Sequence, residues 1–477
     1  MTSRQTSTAR CAPAPRWRDV TAAGSPQWFE LVLPALTLEA GAVVERHVVR
    51  GWHWGPAEDT AALTATTIAV DPARRWQVEA RSTGELATLA RRQPSTRAGL
   101  DPTIPTVLVV HALTGDAGAG GDDGWWAPLI GPGKAIDPTQ VRVLCVNLLG
   151  SCYGTSGPCD GGFPRLADDA HAAELTPARG GFAVPAVDLP ATVTTWDQAR
   201  SVLAVLDRLG IARVEAVVGG SLGGMVALAL AALDPDRVAR LVPIAATSAA
   251  SAWILAWNHI GRQAVLADPG FPSNAHRGLE LARQLAMVTY RAEPGLDATQ
   301  GRAQTNAAWS SRARYRVQTY LEHQGAKLRA RFDARAYLAL LGAMDHHDLA
   351  RAPSAPGVEE RWPARVPPPP STLAALGQGP RSPLPSSWGL DRIRATTTAV
   401  AIDGDQLFLP SHGDALVRAL AARGTDARLE VVTSPHGHDA FLIEWGQLDA
   451  IVRRALDVAP ARARWQPRLL RFPGVVA

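Results

Sequence analysis

A serine surrounded by glycines is the first feature of the chain that could do chemistry. Residues 217–226 read VVGGSLGGMV, and residues 219–223 match the pattern G-x-S-x-G. A β-branched run precedes the pattern and an apolar helix-forming run follows it, which is the strand-turn-helix context of a nucleophile elbow. Small neighbours let a tight turn hold the hydroxyl of Ser221 clear of the backbone. The pattern predicts that Ser221 is a nucleophile, and a Gly-rich turn that only packs tightly or binds phosphate is the alternative.

Candidates for a base and for its orienting acid follow the serine, in the chain order Ser, Asp, His. Asp403 and Asp405 lie where the run TTAVAID ends, and His436 and His438 lie in TSPHGHDAF after the next strand-like run. We prefer Asp405 because it lies further into the loop, and we assign a turn to Asp403. We prefer His438 because it follows a glycine and precedes an apolar helix start. The three residues in this order predict a triad of Ser221, Asp405 and His438.

Two backbone N–H groups would complete such a site by stabilising a tetrahedral oxyanion. One belongs to the residue just after the nucleophile, which is Leu222. The other comes from the loop after an early strand, and the segment HALTG at residues 111–115 leaves the run TVLVV in this way. We therefore predict Leu113 and Leu222 as the oxyanion donors.

A mostly parallel sheet would bring these loops together. Continuous apolar runs alternate with helical stretches, as in strands buried on both faces. The runs are TVLVVHA from position 106, VRVLCVN from 141, RVEAVVGG from 213, RLVPIAA from 240, TTAVAID from 397 and RLEVVTS from 428. Between two of them, TTWDQARSVLAVLDRLG carries apolar residues at helical spacing and ends on a glycine. This βαβ rhythm predicts an α/β fold with helices flanking the sheet.

The rhythm is interrupted once, so the chain divides into four parts. Long helix-forming stretches without a strand follow the fourth run, and a segment with PPPP comes after them. We predict a disordered tail at 1–30, a core at 31–247 and 388–465, a helical lid at 248–350 and a Pro-rich loop at 351–387. The first 18 residues are rich in Arg, Ser and Thr and lack acidic residues, so a transit peptide is the alternative to a plain tail.

Composition excludes several classes of protein. The 477 residues carry 48 basic and 44 acidic side chains, and the basic ones form no dense stripe, so a nucleic-acid partner is not predicted. The most apolar stretch, 223–233, is far shorter than the roughly 20 residues of a membrane span. Four cysteines, at positions 11, 145, 152 and 159, lack metal-ligand spacing and are too few to staple the chain. We predict no metal and a cytoplasmic location.

Eight motifs in one order resemble the homoserine O-acetyltransferase family of the α/β-hydrolase fold. They are HALTGDA, GWWAPLIGPGKAID, VNLLGSCYGTSGP, GGSLGGMVAL, NHIGRQAVLADP, YLEHQGAKLRARFDARAYLALLGAMDHHDL, DGDQLFLP and GHDAFL. The resemblance extends from about residue 36 to the last helix. It implies an α/β-hydrolase core, with a lid that contains FDARAYLALL and also contributes to a homodimer contact.

The resemblance also implies a reaction. An acetyl group would pass from acetyl-CoA, as a co-substrate and not a bound cofactor, through an acyl-serine to the hydroxyl of L-homoserine. By carry-over, Arg262 in NHIGRQA binds the carboxylate of the amino acid, a task suited to a planar and always charged group. Asp439, next to the predicted base, holds its amino group. The family roles of the triad and of the oxyanion donors fall on the residues already chosen.

Departures from the family pattern leave donor and acceptor open. Val226 stands where the family often has glutamine, Leu222 stands where it usually has methionine, and the Pro-rich segment has no counterpart. Transfer to L-serine, or from succinyl-CoA, is therefore an alternative. A serine ester hydrolase is a further one, because water can also resolve an acyl-serine. A non-catalytic scaffold is the alternative from a different class, and the intact Ser, Asp and His argue against it.

Overall fold

The structure is a computed structural model, and it describes residues 24–56, 66–71, 82–93, 100–169, 188–304, 313–354 and 387–457. The segment with the transit-peptide composition and most of the predicted Pro-rich loop lie outside these residues. Among the described residues, no helix is both long and apolar enough to cross a membrane.

One nine-stranded sheet forms the centre of the molecule. Its strands are β1 (Gln27–Leu33), β4 (His47–Trp54), β5 (Thr67–Ile68), β6 (Thr106–Val110), β7 (Arg142–Val146), β8 (Val214–Gly220), β9 (Val238–Ile244), β10 (Thr396–Ile402) and β11 (Ala427–Val432). They lie in the order β11-β10-β9-β8-β6-β7-β4-β1-β5. The short strands β2 (Leu36–Thr37) and β3 (Val43–Val44) form a separate pair. The neighbours from β11 to β7 pair in parallel, so the carboxyl ends of these strands share one edge.

The six apolar runs of the sequence are the six parallel strands. Strands β6, β7 and β8 are buried at every position, which explains why each reads as a continuous apolar run. The predicted α/β-hydrolase fold, with a mostly parallel sheet and flanking helices, is confirmed.

The antiparallel strands β1, β4 and β5 are not predicted by the sequence analysis. Strand β4 reads HVVRGWHW and carries a charge in its middle, so it does not form an apolar run. The guanidinium of Arg50 lies 2.6 Å from the carboxylate of Glu30 on β1, and both side chains are buried. A buried charge is tolerated when it is paired, and that pairing is visible only in three dimensions.

The end of the predicted tail at residue 30 is wrong. Strand β1 begins at Gln27 and pairs with β4 along its whole length. Phe29 and Glu30 are almost completely buried, the first in the hydrophobic core and the second against Arg50. The sheet therefore begins a few residues earlier than composition indicates.

Ten α-helices are described. They are α1 (Thr83–Arg92), α2 (Thr195–Arg208), α3 (Leu222–Leu233), α4 (Ala252–Leu266), α5 (His276–Tyr290), α6 (Glu293–Thr299), α7 (Arg316–Arg329), α8 (Ala334–Asp345), α9 (Pro410–Ala421) and α10 (Trp445–Leu456). Helix α2 begins at a capping box in which the side chain of Thr194 accepts the N–H of Asp197. Helix α3 is apolar on all sides and is completely buried, as expected for a helix that packs against the central strands of the sheet.

Helices α4 to α8 lie between β9 and β10 and include no strand of the sheet. Helix α5 packs against α4 and α7, and α8 packs against α4. The segments that lead out of the sheet and back to it lie next to each other. The N–H of Leu349 donates to the carbonyl of Ser248, and the N–H of Ala250 donates to the carbonyl of His347. We refer to residues 248–350 as the lid.

Candidate active site

Ser221 lies in a strained turn between β8 and α3. Its φ and ψ are 57° and −124°, outside the regions that non-glycine residues usually adopt. Its N–H donates to the carbonyl of Ile244 at 2.9 Å, and its own carbonyl accepts the N–H groups of Gly224 and Met225. Strain of this kind persists only where the surroundings hold the residue in place. The turn has the geometry of a nucleophile elbow.

The glycines next to Ser221 are required by close backbone contacts. A Cβ on Gly219 would lie 2.4 Å from the carbonyl oxygen of Gly223, and a Cβ on Gly223 would lie 2.2 Å from that of Val110 at the end of β6. Both distances are far below van der Waals contact. The two glycines of the G-x-S-x-G pattern are therefore required by packing within the elbow and of the elbow against the end of β6.

Asp405 and His438 form a buried pair. Oδ2 of Asp405 lies 2.6 Å from Nδ1 of His438. Oδ1 of the same carboxylate accepts the N–H groups of Leu407 and Phe408, each at 2.8 Å. Both carboxylate oxygens are thus engaged, so the acid cannot rotate away from the imidazole. Because an ionised carboxylate can only accept a hydrogen bond, the proton of the neutral imidazole lies on Nδ1 when Asp405 is ionised. Nε2 is then the basic nitrogen.

Two opposing effects act on the pKa of His438. Burial disfavours the charged ring and lowers the pKa, whereas the charge of Asp405 and its hydrogen bond raise it. The stabilisation of the charged ring by Asp405 outweighs the effect of burial, so the pKa of His438 lies above that of an ordinary histidine.

Three aromatic rings enclose His438 and connect it to the elbow. Phe408 stacks on the imidazole at 5.2 Å between centroids, Phe441 meets it edge-on at 5.5 Å, and Tyr290 of the lid lies at 5.4 Å. The Phe441 ring also covers Gly220, where an added Cβ would lie 2.8 Å from it. Phe441 therefore spans from the imidazole to the residue just before Ser221.

The two predicted oxyanion donors lie in adjoining segments. Leu222 begins α3, so its N–H has no partner within the helix. Leu113 lies in a turn closed by the N–H of Gly115 and the carbonyl of Ala112 at 2.9 Å. None of the described residues accepts the N–H of Leu113. The turn follows β6, which touches the elbow at Gly223, so both N–H groups belong to the same edge of the sheet.

The alternative acid and base have other contacts. Asp403 is exposed, and its Oδ1 accepts the N–H of Ser434 at 3.0 Å, which joins the loops after β10 and β11. His436 packs near Gly295 of the lid. The structure pairs neither residue with the triad candidates.

Arg262 and Asp439 each face a partner within the protein. The guanidinium of Arg262, on α4, pairs with the carboxylate of Asp345 at the end of α8. Asn258 donates to the same carboxylate at 2.8 Å. Asp439 lies 3.2 Å from Nε of Arg291. The structure places Asp439 beside His438 but does not bring Arg262 into contact with Asp439.

Two tyrosines interact electrostatically with these groups, Tyr290, which is partly buried, and Tyr337, which is buried. Burial raises the pKa of Tyr290 to about 12, and the charges of Asp439 and Asp405 act on the same hydroxyl. Burial also raises the pKa of Tyr337, and Tyr290 and Arg262 interact electrostatically with the Tyr337 hydroxyl. The pair therefore lies within electrostatic reach of both predicted substrate contacts and remains neutral over the physiological range.

Sequence reasoning does not identify four residues that lie near these groups, namely Asp345, Arg291, Tyr290 and Tyr337. Asp345 lies in MDHHDL, which is quoted above only as a family motif. The signal that could find them is the set of polar or aromatic residues at the ends of lid helices. No three His, Cys, Asp or Glu side chains of the described ranges are grouped as metal ligands.

Comparisons with known proteins identify the fold and the family. Residues 105–444 match a family model described as alpha/beta hydrolase fold. Homoserine O-acetyltransferase of Moorella thermoacetica is 35% identical over 363 residues, with 73% of this chain and 84% of the relative covered. A solved homoserine O-acetyltransferase from Bacillus anthracis superimposes with a TM-score of 0.62 at 18% identity, over 91% of this chain and 98% of that one.

An acetylester hydrolase from Corynebacterium glutamicum also shares the fold, with a TM-score of 0.57 at 17% identity over 90% of this chain and 96% of that one. At such identities a structural match shows the fold alone, because one fold carries many activities. The sequence match to the Moorella relative is much closer and covers most of both proteins. The chain therefore belongs to the homoserine O-acetyltransferase family of the α/β-hydrolase fold.

Proposed function

We propose that the protein transfers an acetyl group from acetyl-CoA to the hydroxyl of L-homoserine through an acyl-enzyme on Ser221. The observation that carries the proposal is the buried Asp405–His438 pair, which Phe441 connects to the strained elbow of Ser221. The Moorella relative bears the name of this activity at 35% identity.

The first half of the reaction acylates the serine. Nε2 of His438 takes the proton of the Ser221 hydroxyl as Oγ attacks the thioester carbon of acetyl-CoA. The tetrahedral intermediate carries its negative charge on the former carbonyl oxygen, where the N–H groups of Leu113 and Leu222 stabilise it. Collapse breaks the C–S bond, and the proton on His438 passes to the departing thiolate. CoA leaves as the thiol, and the acetyl ester of Ser221 remains.

The second half transfers the acetyl group to the acceptor. His438 takes the proton of the homoserine hydroxyl as its oxygen attacks the ester carbon and forms a second tetrahedral intermediate. Collapse breaks the bond between that carbon and Oγ of Ser221, His438 returns the proton to Oγ, and the acetyl ester of homoserine leaves. Arg262 would bind the acceptor carboxylate with the donors that Asp345 leaves free, and Asp439 would bind the ammonium group. A zwitterionic acceptor thus has one oppositely charged residue for each of its charges.

The experiment that tests this proposal measures CoA release with a thiol reagent and the mass of the intact protein. We expect about one equivalent of thiol and one added acetyl group without homoserine, and continuous release with it. Continuous release without any acceptor would identify a hydrolase. No release and no adduct from acetyl-CoA or succinyl-CoA would identify a scaffold.

The identities of the acceptor and of the donor are tested by assaying a panel of amino acids and acyl-CoA thioesters. We expect L-homoserine to exceed L-serine as acceptor, and acetyl-CoA to exceed succinyl-CoA as donor, when kcat/KM values are compared. A reversal of either order would move the protein to the corresponding alternative while leaving the acyl-serine mechanism intact.

A homodimer through the lid is also part of the proposal. Several large apolar side chains of the lid are exposed by more than a third, namely Trp253, Leu255 and Ile260 of α4 and Leu281 and Val288 of α5. Exposed apolar side chains favour association with a partner surface that covers them. Light scattering after gel filtration should give twice the chain mass of 50.5 kDa.

The described cysteines are free, which fits the reducing, cytoplasmic location that we propose.

A further inference from the structure

Arg331 occupies a rigid corner of the lid between α7 and α8. The carbonyl of Leu328 accepts the N–H groups of Arg331 and Phe332 at 3.0 and 2.9 Å. On the other side of the corner, Asp333 caps α8 by accepting the N–H of Arg335 at 2.8 Å. The backbone N–H of Arg331 is therefore bonded to the end of α7, and the cap of α8 follows two residues later.

The side chain of Arg331 reaches out of the lid to the sheet. Its Nη1 donates to the carbonyl of Thr114 at 2.7 Å and to the hydroxyl of Tyr153 at 2.5 Å. No carboxylate of the described residues forms an ion pair with this guanidinium. An arginine that binds only neutral acceptors contributes geometry, since a guanidinium holds its donors in a rigid plane.

Thr114 is a central residue of the turn that carries Leu113. The peptide between Ala112 and Leu113 is oriented by its carbonyl, to which Nδ1 of His111 donates at 2.8 Å, because Nε2 of that ring accepts the N–H of Leu148. A trans peptide places its N–H opposite its carbonyl, so these bonds also direct the N–H of Leu113. Arg331 holds the carbonyl of the peptide between Thr114 and Gly115, which is separated from the peptide of the Leu113 N–H by one intervening peptide of the same turn.

Other contacts of this loop and of Tyr153 come mostly from the core. The side chain of Asn147 accepts the N–H of Ala117 at 2.6 Å and donates to the carbonyl of Tyr153 at 2.7 Å. The Tyr153 ring is buried and packs edge-on against Phe332 at 5.6 Å. Of these contacts among the described residues, only those of Arg331 and Phe332 come from the lid.

We infer that Arg331 is a positioning residue for the oxyanion turn and couples the seating of the lid to acyl transfer. The guanidinium fixes the Thr114 carbonyl, and the turn then presents the N–H of Leu113 to the developing oxyanion. The inference rests on the acyl-serine step of the proposed function and does not depend on the identity of the acceptor.

The test compares Arg331→Met and Arg331→Lys with wild type in single-turnover acylation by p-nitrophenyl acetate and by acetyl-CoA. We expect the acylation rate constant of Arg331→Met to fall about 10- to 100-fold with both donors, because a displaced oxyanion donor loses most of its effect. KM for either donor should change by less than about twofold. Arg331→Lys should recover part of the rate, since an ammonium group can still donate to one of the two acceptors.

Arg329→Met is the matched control. Arg329 lies two residues away at the end of α7, is half exposed and pairs with Glu280 of the lid. We expect its acylation rate to equal that of wild type. The thermal midpoint of each variant separates a change of rate from a loss of folded protein.

Three results would overturn the inference. They are an unchanged acylation rate in Arg331→Met, a rise in KM at constant kcat, and a loss of rate that matches the loss of folded protein. If Arg331→Met does not fold, the same criteria apply to Arg331→Lys. A wild-type protein that acquires no acetyl group from either donor would instead overturn the acyl-serine step, and this inference with it.

Discussion

The candidate triad region and the proposed acceptor region are held together in different ways. At the edge of the sheet, Ser221 is fixed by backbone hydrogen bonds, and Asp405 and His438 are almost completely buried. In the lid, Arg262 and Asp345 join two helices, and both side chains are partly exposed. Charged pairs contribute more where water is excluded and less where it screens them. We therefore expect changes at the triad to cost far more than changes at the lid pairs.

The largest effect is expected for Ser221→Ala. Removal of Oγ takes away the nucleophile and very little packing, so acyl transfer should fall on the order of 10⁶-fold while the fold remains intact. Intact-mass spectrometry after mixing with acetyl-CoA should show one acetyl group on wild type and none on the variant. An equal adduct on both proteins would place the nucleophile elsewhere.

Asp405→Asn is expected to come next. The amide no longer orients the imidazole or stabilises its charge, and kcat/KM should fall about 10⁴-fold, as in other serine triads. Asp403→Asn is the control, because Asp403 is exposed and does not contact His438. Its rate should stay within about twofold of wild type, and equal losses in both variants would contradict the assignment of the acid.

The same pair predicts the pH dependence. The base acts in its neutral form, so the wild-type acylation rate should rise with pH through the pKa of His438, which lies above its ordinary value of 6.5. Without the charge of Asp405, burial dominates and lowers the pKa, so the rising limb of Asp405→Asn should move to lower pH. A limb that stays in place would show that another group titrates.

Arg262→Lys should separate the two regions. The ammonium keeps the charge but loses the planar geometry, which corresponds to about 1.5–3 kcal/mol or a ten- to hundredfold drop in transfer to homoserine. Acylation by acetyl-CoA should be unchanged in stopped-flow measurements. If both half-reactions fall together, Arg262 supports the site generally, and the assignment of an amino-acid acceptor loses its main residue.

The smallest effect is expected for Asp345→Asn. The amide removes the charge that holds Arg262 across the two helices, and a partly exposed pair contributes at most about 1 kcal/mol. KM for homoserine should rise about two- to fivefold, with acylation unchanged. A fall in KM would show that Asp345 competes with the acceptor carboxylate, which would reverse its role.

The parallel sheet and the order of its loops could be predicted from sequence because both depend on local signals. Strands buried on both faces read as apolar runs, and the glycines around Ser221 mark a turn where no Cβ fits. Strand β4 could not be predicted, because its buried Arg50 is compatible with a core only when Glu30 of β1 lies opposite.

The sequence by itself determined the fold and the family, and it predicted Ser221 as the nucleophile. The choice of Asp405 over Asp403 as the partner of His438 was decided by the tertiary structure, since both acids lie at the end of the same strand. The contacts of Arg331 with Thr114 and of Arg262 with Asp345 join residues 217 and 83 positions apart. Periodicity and turn chemistry act over a few residues, whereas such pairs form only when the packing of distant elements brings their side chains within hydrogen-bond distance.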